Sequence, residues 1–500
     1  MKKSWNFTPQ CTAVFHQYLS AIIGSFSFAL VGNAEGWPSP TLLKMRDMET
    51  PMILDSSQIS WMVSMIYIGH LISPVPSGML MDRYGRKRAI LLLSLPPLFS
   101  WILIWLTSSA RYLYIARFLV GLWAGAVSTI IPNYIGEIAS PKIRGSLTML
   151  TDLMRNLGVL LVYFVGHYVS YTGLAMSCAI LTLVFIVSFS FMPESPYYHL
   201  MCGKEEKAYE SLNWLRGKKG KKVDIELQKM KEAIEQQLMN KGSFKDVWNN
   251  KGNRKAFIIS EFYSVMKRLT GSGVLQAYVA ITLPSLTFGI LNPDDCAIFF
   301  GLTGLTTSFA TVFLAVHFNR RSLMTLSAAG CGLTMMLVST WFYLNSNTNY
   351  DVEPYSDWLF ICFIVYNSMF ALGLGPIGTS LRGELFAANV KAICSSLTTI
   401  LVAVTSFILN KFFLIVAESL GMHVNFIIYT VSCVLTIVFT WVYVPETHGK
   451  SLEEIQRVLN GEKIGNKTEK LSKSSVERHR QVVPSKDALS SSMMESSRNI

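Results

Sequence analysis

Five hundred residues with 51% hydrophobic and only 15% charged content exclude an ordinary soluble domain. The formal charge of +12 sits in loops between apolar blocks, so it suits an anionic membrane surface and does not call for nucleic acid. The eight cysteines are scattered without metal-ligand spacing, and Cys178, Cys331, Cys362, Cys394 and Cys433 read as small buried hydrophobes, so neither metal nor cofactor is expected.

Twelve candidate spans of about 20 residues follow one another, the length that crosses a hydrocarbon core. They lie near 14–34, 59–81, 89–107, 112–136, 146–168, 172–192, 256–283, 296–318, 322–344, 357–382, 392–417 and 422–444. Alternate loops are basic. The stretch 82–88 carries Arg83, Arg86, Lys87 and Arg88, and 193–255 is rich in Lys, whereas 168–172, 284–295 and 346–356 hold no Lys or Arg. The basic loops therefore face the cytosol, with both termini inside.

The expected organisation is a cytosolic N-terminus at 1–13, a six-helix bundle at 14–192, a cytosolic linker at 193–255, a second bundle at 256–444 and a tail at 445–500. The tail reads as disordered after about 462. In the linker, Val223, Leu227, Met230, Ile234 and Leu238 recur at helical spacing and predict an amphipathic helix.

The halves repeat. Pro193-Glu194-Ser195 and Pro445-Glu446-Thr447 close the sixth span of each half. Glu137 precedes Arg144 by the interval that separates Glu384 from Lys391, and Asn319-Arg320-Arg321 occupies the place of Gly85-Arg86-Lys87. The expected fold class is an all-α membrane protein of twelve helices in two six-helix bundles, which moves solute by rocking one half against the other. No phosphate-cradling loop, metal cluster or Ser-His-Asp arrangement supports an enzyme.

Gly78-x-Leu80-x-Asp82-Arg83-x-Gly85-Arg86-Lys87 resembles the loop signature of the major facilitator superfamily. Pro132-x-Tyr134-x-x-Glu137 with Pro141-x-x-Arg144-Gly145, Pro193-Glu194-Ser195-Pro196 and Pro445-Glu446-Thr447 resemble its sugar porter branch. Leu212-x-Trp214-Leu215-Arg216-Gly217, Gly373-Leu374-Gly375-Pro376-Ile377 and Lys450-Ser451-Leu452-Glu453-Glu454-Ile455 are similar to insect facilitated trehalose transporters. The resemblance implies a cytosolic gate of Asp82, Arg83, Arg86, Glu137, Arg144 and Glu194, with Glu384, Lys391 and Glu446 in the second half. Its pairs would make or break as the halves separate, at about 1 kcal/mol each. Gly78, as a close-approach position, Gly85 as a turn, and Arg117 are assigned to the same gate.

The cavity departs from the sugar porter pattern. Where the family has amides, this chain has Asp152 in the fifth span and Lys267 and Arg268 in the seventh. Gly273 stands for an Asn, and Thr379 for a Trp. Arg155 and Arg382 are further charges. Charges within spans cost about 2.5–3.5 kcal/mol each and face a protein interior or cavity. Asp152 and Arg155, three residues apart, can pair on one helical face, and Asp152 is expected to bridge to Lys267 or Arg268. Glu261 can share the face of Arg268. The arrangement reads either as a charged binding site or as a permanent ion-pair plug. Thr270, Gln276, Tyr278, Asn367 and Thr379 remain as neutral hydrogen-bonding candidates.

Three functions follow from these residues. The first is a facilitative carrier for sugar or a similar polar solute. The second is a carrier for an anionic solute held by Lys267, Arg268 and Arg155. The third is a non-transporting, sensor-like protein. The partners expected are a small solute and the bilayer.

Overall fold

The structure is a computed structural model and describes residues 9–140, 143–217, 220–239, 244–283, 290–349, 352–378, 385–386, 390–446 and 452–460. The first half comprises α1 (Pro9–Gly36), α2 (Pro38–Arg46), α3 (Ser56–Ile72), α4 (Pro74–Tyr84), α5 (Arg86–Leu93), α6 (Leu95–Leu106), α7 (Ala110–Ile138), α8 (Arg144–Tyr168) and α9 (Tyr171–Ser190). Between the halves lie α10 (Pro196–Met201), α11 (Glu205–Arg216), α12 (Lys221–Met239) and α13 (Phe244–Asn249). The second half comprises α14 (Lys251–Leu269), α15 (Ser272–Thr282), α16 (Pro293–His317), α17 (Arg320–Asn347), α18 (Ser356–Leu372), α19 (Lys391–Ser419) and α20 (Met422–Tyr443), followed by α21 (Leu452–Asn460).

Nine of the described helical segments are long and apolar enough to cross a membrane. The bent pair α3–α4 makes a tenth, with a 46° turn at Ser73–Pro74. The broken pair α14–α15 and α16 complete twelve spans in chain order. Each break has a local cause. Proline opens α4 and cannot donate to the preceding turn. Gly271, at φ +89°, separates α14 from α15 in a conformation that side chains resist. At the start of α3 the Asp55 carboxylate accepts from the Gln58 amide at 2.6 Å, while the Gln58 side chain accepts from the Asp55 amide at 3.2 Å.

Among the described residues the shared apolar core lies toward one end. One apolar cluster, including Trp37, Tyr67, Tyr163, Tyr278, Phe300 and Phe413, draws on both. It lies toward the end away from the 82–88 loop, termed here the far end. Toward the basic end the core divides. One cluster runs from Ala21 to Leu215, and another from Val247 to Leu459. The amphipathic α12 buries Val223 and Ile234. Arg216 holds α12 through Glu226 at 2.7 Å and donates to the Ile138 carbonyl at 3.0 Å, which ties the linker to the end of α7.

Candidate functional site

At the basic end, Gly85 turns the chain at φ +97° and delivers Arg86 and Lys87 to the start of α5. The Glu194 carboxylate accepts from both of their amides, at 2.9 and 3.1 Å. A carboxylate there satisfies orphan donors and sits at the positive pole of the helix. A Cβ on Gly85 would lie 2.3 Å from Glu194 Oε2, so only glycine leaves room for this cap. The Arg86 guanidinium turns inward to Glu137 Oε1 at 2.9 Å, with exposed Asp82 at 3.7 Å. Tyr198 donates to the Arg83 carbonyl at 3.0 Å.

All of these contacts lie within the first half. With the halves parted at this end, the described gate residues of the first half pair among themselves, and the second-half partners Glu384 and the Lys391 side chain lie outside the described residues. The carboxylate that reads as a partner across the gate is a helix cap within its own bundle. The second half repeats the cap: Glu446 accepts from the amides of Arg320 at 3.2 Å and Arg321 at 3.3 Å. Arg144 is exposed at the start of α8. Glu384, the side chain of Lys391 and Arg382 lie outside the described residues, as does Thr379.

Two gate assignments are corrected. A Cβ on Gly78 would meet nothing within 4 Å, so no described helix approaches closely there. Arg117 lies 20 positions before Glu137 on α7, about 30 Å away by helical rise. It is buried toward the far end, donates to the carbonyls of Ala34 at 2.8 Å and Met62 at 3.3 Å, and stacks over Trp37. It ties α7 to α1 and α3 and is no part of the Arg86–Glu137 cluster.

The charged middle is built on the crossing of α1 and α8. A Cβ on Gly32 would lie 2.0 Å from the Arg155 carbonyl, and one on Gly158 would lie 1.9 Å from that of Ala29. Backbone contact this close brings Glu35 of α1 to Arg155 of α8, with Nε to Oε2 at 2.8 Å and the glutamate side chain 5% exposed. The salt-bridge partner of Arg155 is thus Glu35, where sequence spacing points to Asp152. Asp152 is half-buried and within electrostatic reach of Arg155 and Arg268. Arg268 is 8% exposed and faces Glu35, Arg155 and Tyr67 as well. Lys267 sends its ammonium to the Gly375 carbonyl at 2.6 Å, where α18 ends. Glu261 accepts from Thr398 of α19, well away from Arg268 along α14.

Several neutral candidates prove to be internal ties. The Thr270 hydroxyl donates to the Lys267 carbonyl at 2.9 Å, and the Thr270 carbonyl accepts from Tyr366 at 2.9 Å. Tyr278 donates to the Asn410 carbonyl at 3.3 Å, and Asn367 to that of Phe300 at 2.5 Å. Gln276 and Gly273 line the face of α15 beyond the break, where the Gln276 carbonyl accepts from Tyr163 at 2.5 Å. Sequence reasoning missed Lys411. From α19 it donates to Ser60 at 2.9 Å and sits 4.4 Å over the Trp61 ring, joining the halves at the far end. Asn156 to Ser308 at 2.6 Å, and His167 within 4.0 Å of Asp294 and Asp295, cross the same seam.

The profile of the sugar (and other) transporter family matches residues 6–459. The chain is 29% identical to the facilitated trehalose transporter of Anopheles gambiae over 451 residues, covering 90% of itself and 56% of that protein. It therefore spans little more than half of that relative's length. Against the facilitated trehalose transporter of Culex quinquefasciatus it is 29% identical, covering 91% of itself and 87% of the relative. Its fold matches the partially occluded inward open conformation of the xylose transporter XylE from E. coli at a TM-score of 0.72 and 22% identity, over 88% of this chain and 100% of that one. A peptide transporter bound to sulfate matches at 0.60 and 14% identity, over 91% and 96%. With twelve spans in order and the family profile along nearly the whole chain, the protein belongs to the sugar (and other) transporter family, a family of multi-pass membrane carriers and not of enzymes.

Proposed function

We propose that the chain is a facilitative carrier that exposes a midplane site alternately to the two sides of the plasma membrane, with the basic end and both termini in the cytosol. The observation that carries this reading is the asymmetry of the core. One apolar cluster joins the halves at the far end, and two separate clusters divide them at the basic end. Two rigid bundles hinged at one end form one member of an alternating pair. Lys411–Ser60 and the seam around Tyr163–Gln276 supply contacts that must break for the opposite state. The trehalose-transporting relatives and the uncharged members of the lining support a polyhydroxylated small solute as cargo.

Purified protein in liposomes tests it. Labelled trehalose or glucose, or a similar polyol, is expected to enter saturably, faster when unlabelled solute is inside, and at a rate indifferent to an inward proton gradient. A reducible bis-thiol reagent that bridges Ser60→Cys and Lys411→Cys is expected to abolish flux, and reduction to restore it. Undiminished flux with the far end cross-linked overturns the alternating mechanism.

A further inference from the structure

The cations in the middle and far parts of the spans are not alike. Arg117 meets two backbone carbonyls, Arg155 meets Glu35, Lys267 meets the Gly375 carbonyl, and Lys411 meets Ser60 and the Trp61 face. Arg268 is 8% exposed, and its Nη1 finds no hydrogen-bond partner among the described residues. A guanidinium stays charged, and a buried charged donor without an acceptor is costly. The local charge is also unbalanced. Among the described residues, Glu35 and Asp152 stand against Arg155, Arg268 and the adjoining Lys267, one more cation than carboxylate.

This nitrogen is buried with its neighbours. A Cβ on Gly273 would lie 3.4 Å, an ordinary contact, from both Arg268 Nη1 and the Tyr67 hydroxyl, so the glycine keeps a side chain from covering the nitrogen. One turn further along the same face of α15, Gln276 holds a buried side-chain oxygen that also lacks a partner among the described residues. A donor without an acceptor and an acceptor without a donor share one face.

We infer that Arg268 receives the carboxylate of a small polyhydroxylated acid and that Gln276 accepts one of its hydroxyls. The inference rests on the carrier reading and narrows its cargo. The guanidinium fork matches a carboxylate in bidentate fashion, and the bound anion cancels the excess charge. Lys267 remains on its carbonyl, and Glu35 keeps Arg155 occupied, so the cargo carboxylate is directed to Arg268.

Gluconate and glucose are the probes, compared as labelled solutes in liposomes containing the full chain. Gluconate is expected to enter saturably, to be slowed by an inside-negative potential, and to raise the thermal unfolding midpoint of the purified protein. Arg268→Gln should lower gluconate uptake at least tenfold. Arg268→Lys keeps the charge but loses the fork, so it should raise KM for gluconate several-fold, and it serves where the glutamine variant fails to fold. Saturable glucose flux that gluconate neither competes with nor follows overturns the anion inference and leaves the carrier standing. If neither these solutes nor trehalose moves or shifts the unfolding midpoint, both readings fall.

Discussion

The two halves carry the same helix cap in different settings. In the first, Glu194 accepts from the amides that open α5, Gly85 makes the turn, and the guanidinium of buried Arg86 runs inward to half-buried Glu137. In the second, Glu446 accepts from the amides that open α17, the turn residue is Asn319 at φ −62°, and the Arg321 guanidinium lies over Trp441 and donates to its carbonyl at 2.8 Å. The cap answers a requirement common to both halves, since a helix opening after a tight loop leaves amides without partners. Among the described residues the inward ion pair is seen in the first half; Glu384, which the repeat matches to Glu137, lies outside them.

The largest effect that would break this comparison belongs to Glu137. Its loss leaves Arg86, 5% exposed, without its close carboxylate. Glu137→Ala is expected to destabilise by about 3 kcal/mol, because an uncompensated buried charge costs more than the pair contributes. Thermal unfolding of the detergent-solubilised protein measures it. The double variant with Arg86→Ala should be no worse than Arg86→Ala alone, and additive losses would show that the two act separately. The turn comes next. Gly85→Ala adds a Cβ at positive φ and 2.3 Å from Glu194 Oε2, at a cost of about 2 kcal/mol. Asn319→Ala, at an ordinary φ, should cost under about 0.5 kcal/mol. Equal costs at the two turns would erase the distinction.

What the sequence disclosed was what neighbouring residues or the repeat determine. The spans follow from apolar length, and the Pro-Glu motifs closing each half do lie at matching caps. Alternation of basic loops separates the two ends. What it did not disclose depends on how helices cross. Asp152 is the near neighbour of Arg155 in the chain, yet Glu35, 120 positions away, takes its guanidinium because Gly32 and Gly158 let α1 and α8 touch. Arg117 belongs by motif to a segment that ends in the gate, but a helix carries it to the other side of the fold. Gly78 carries the same small side chain as Gly32 and faces open space. Composition marks such residues as capable of close approach, and only the neighbouring helix decides whether one occurs.

A charge-only change at each cap tests whether the two halves share it. Glu194→Gln and Glu446→Gln each keep an oxygen that can accept from the helix amides and remove only the charge. Each should therefore lose the charge–dipole contribution and part of the charge-assisted hydrogen bonding, about 1 kcal/mol in both halves. Unfolding midpoints of the two variants should agree within about 0.5 kcal/mol after conversion. Glu194 is closer to charged neighbours through Arg86, so a loss at Glu194 more than about 2 kcal/mol beyond that at Glu446 would place Glu194 inside the ion-pair cluster. Matched losses would leave the carboxylate of each half as a cap on its own helix.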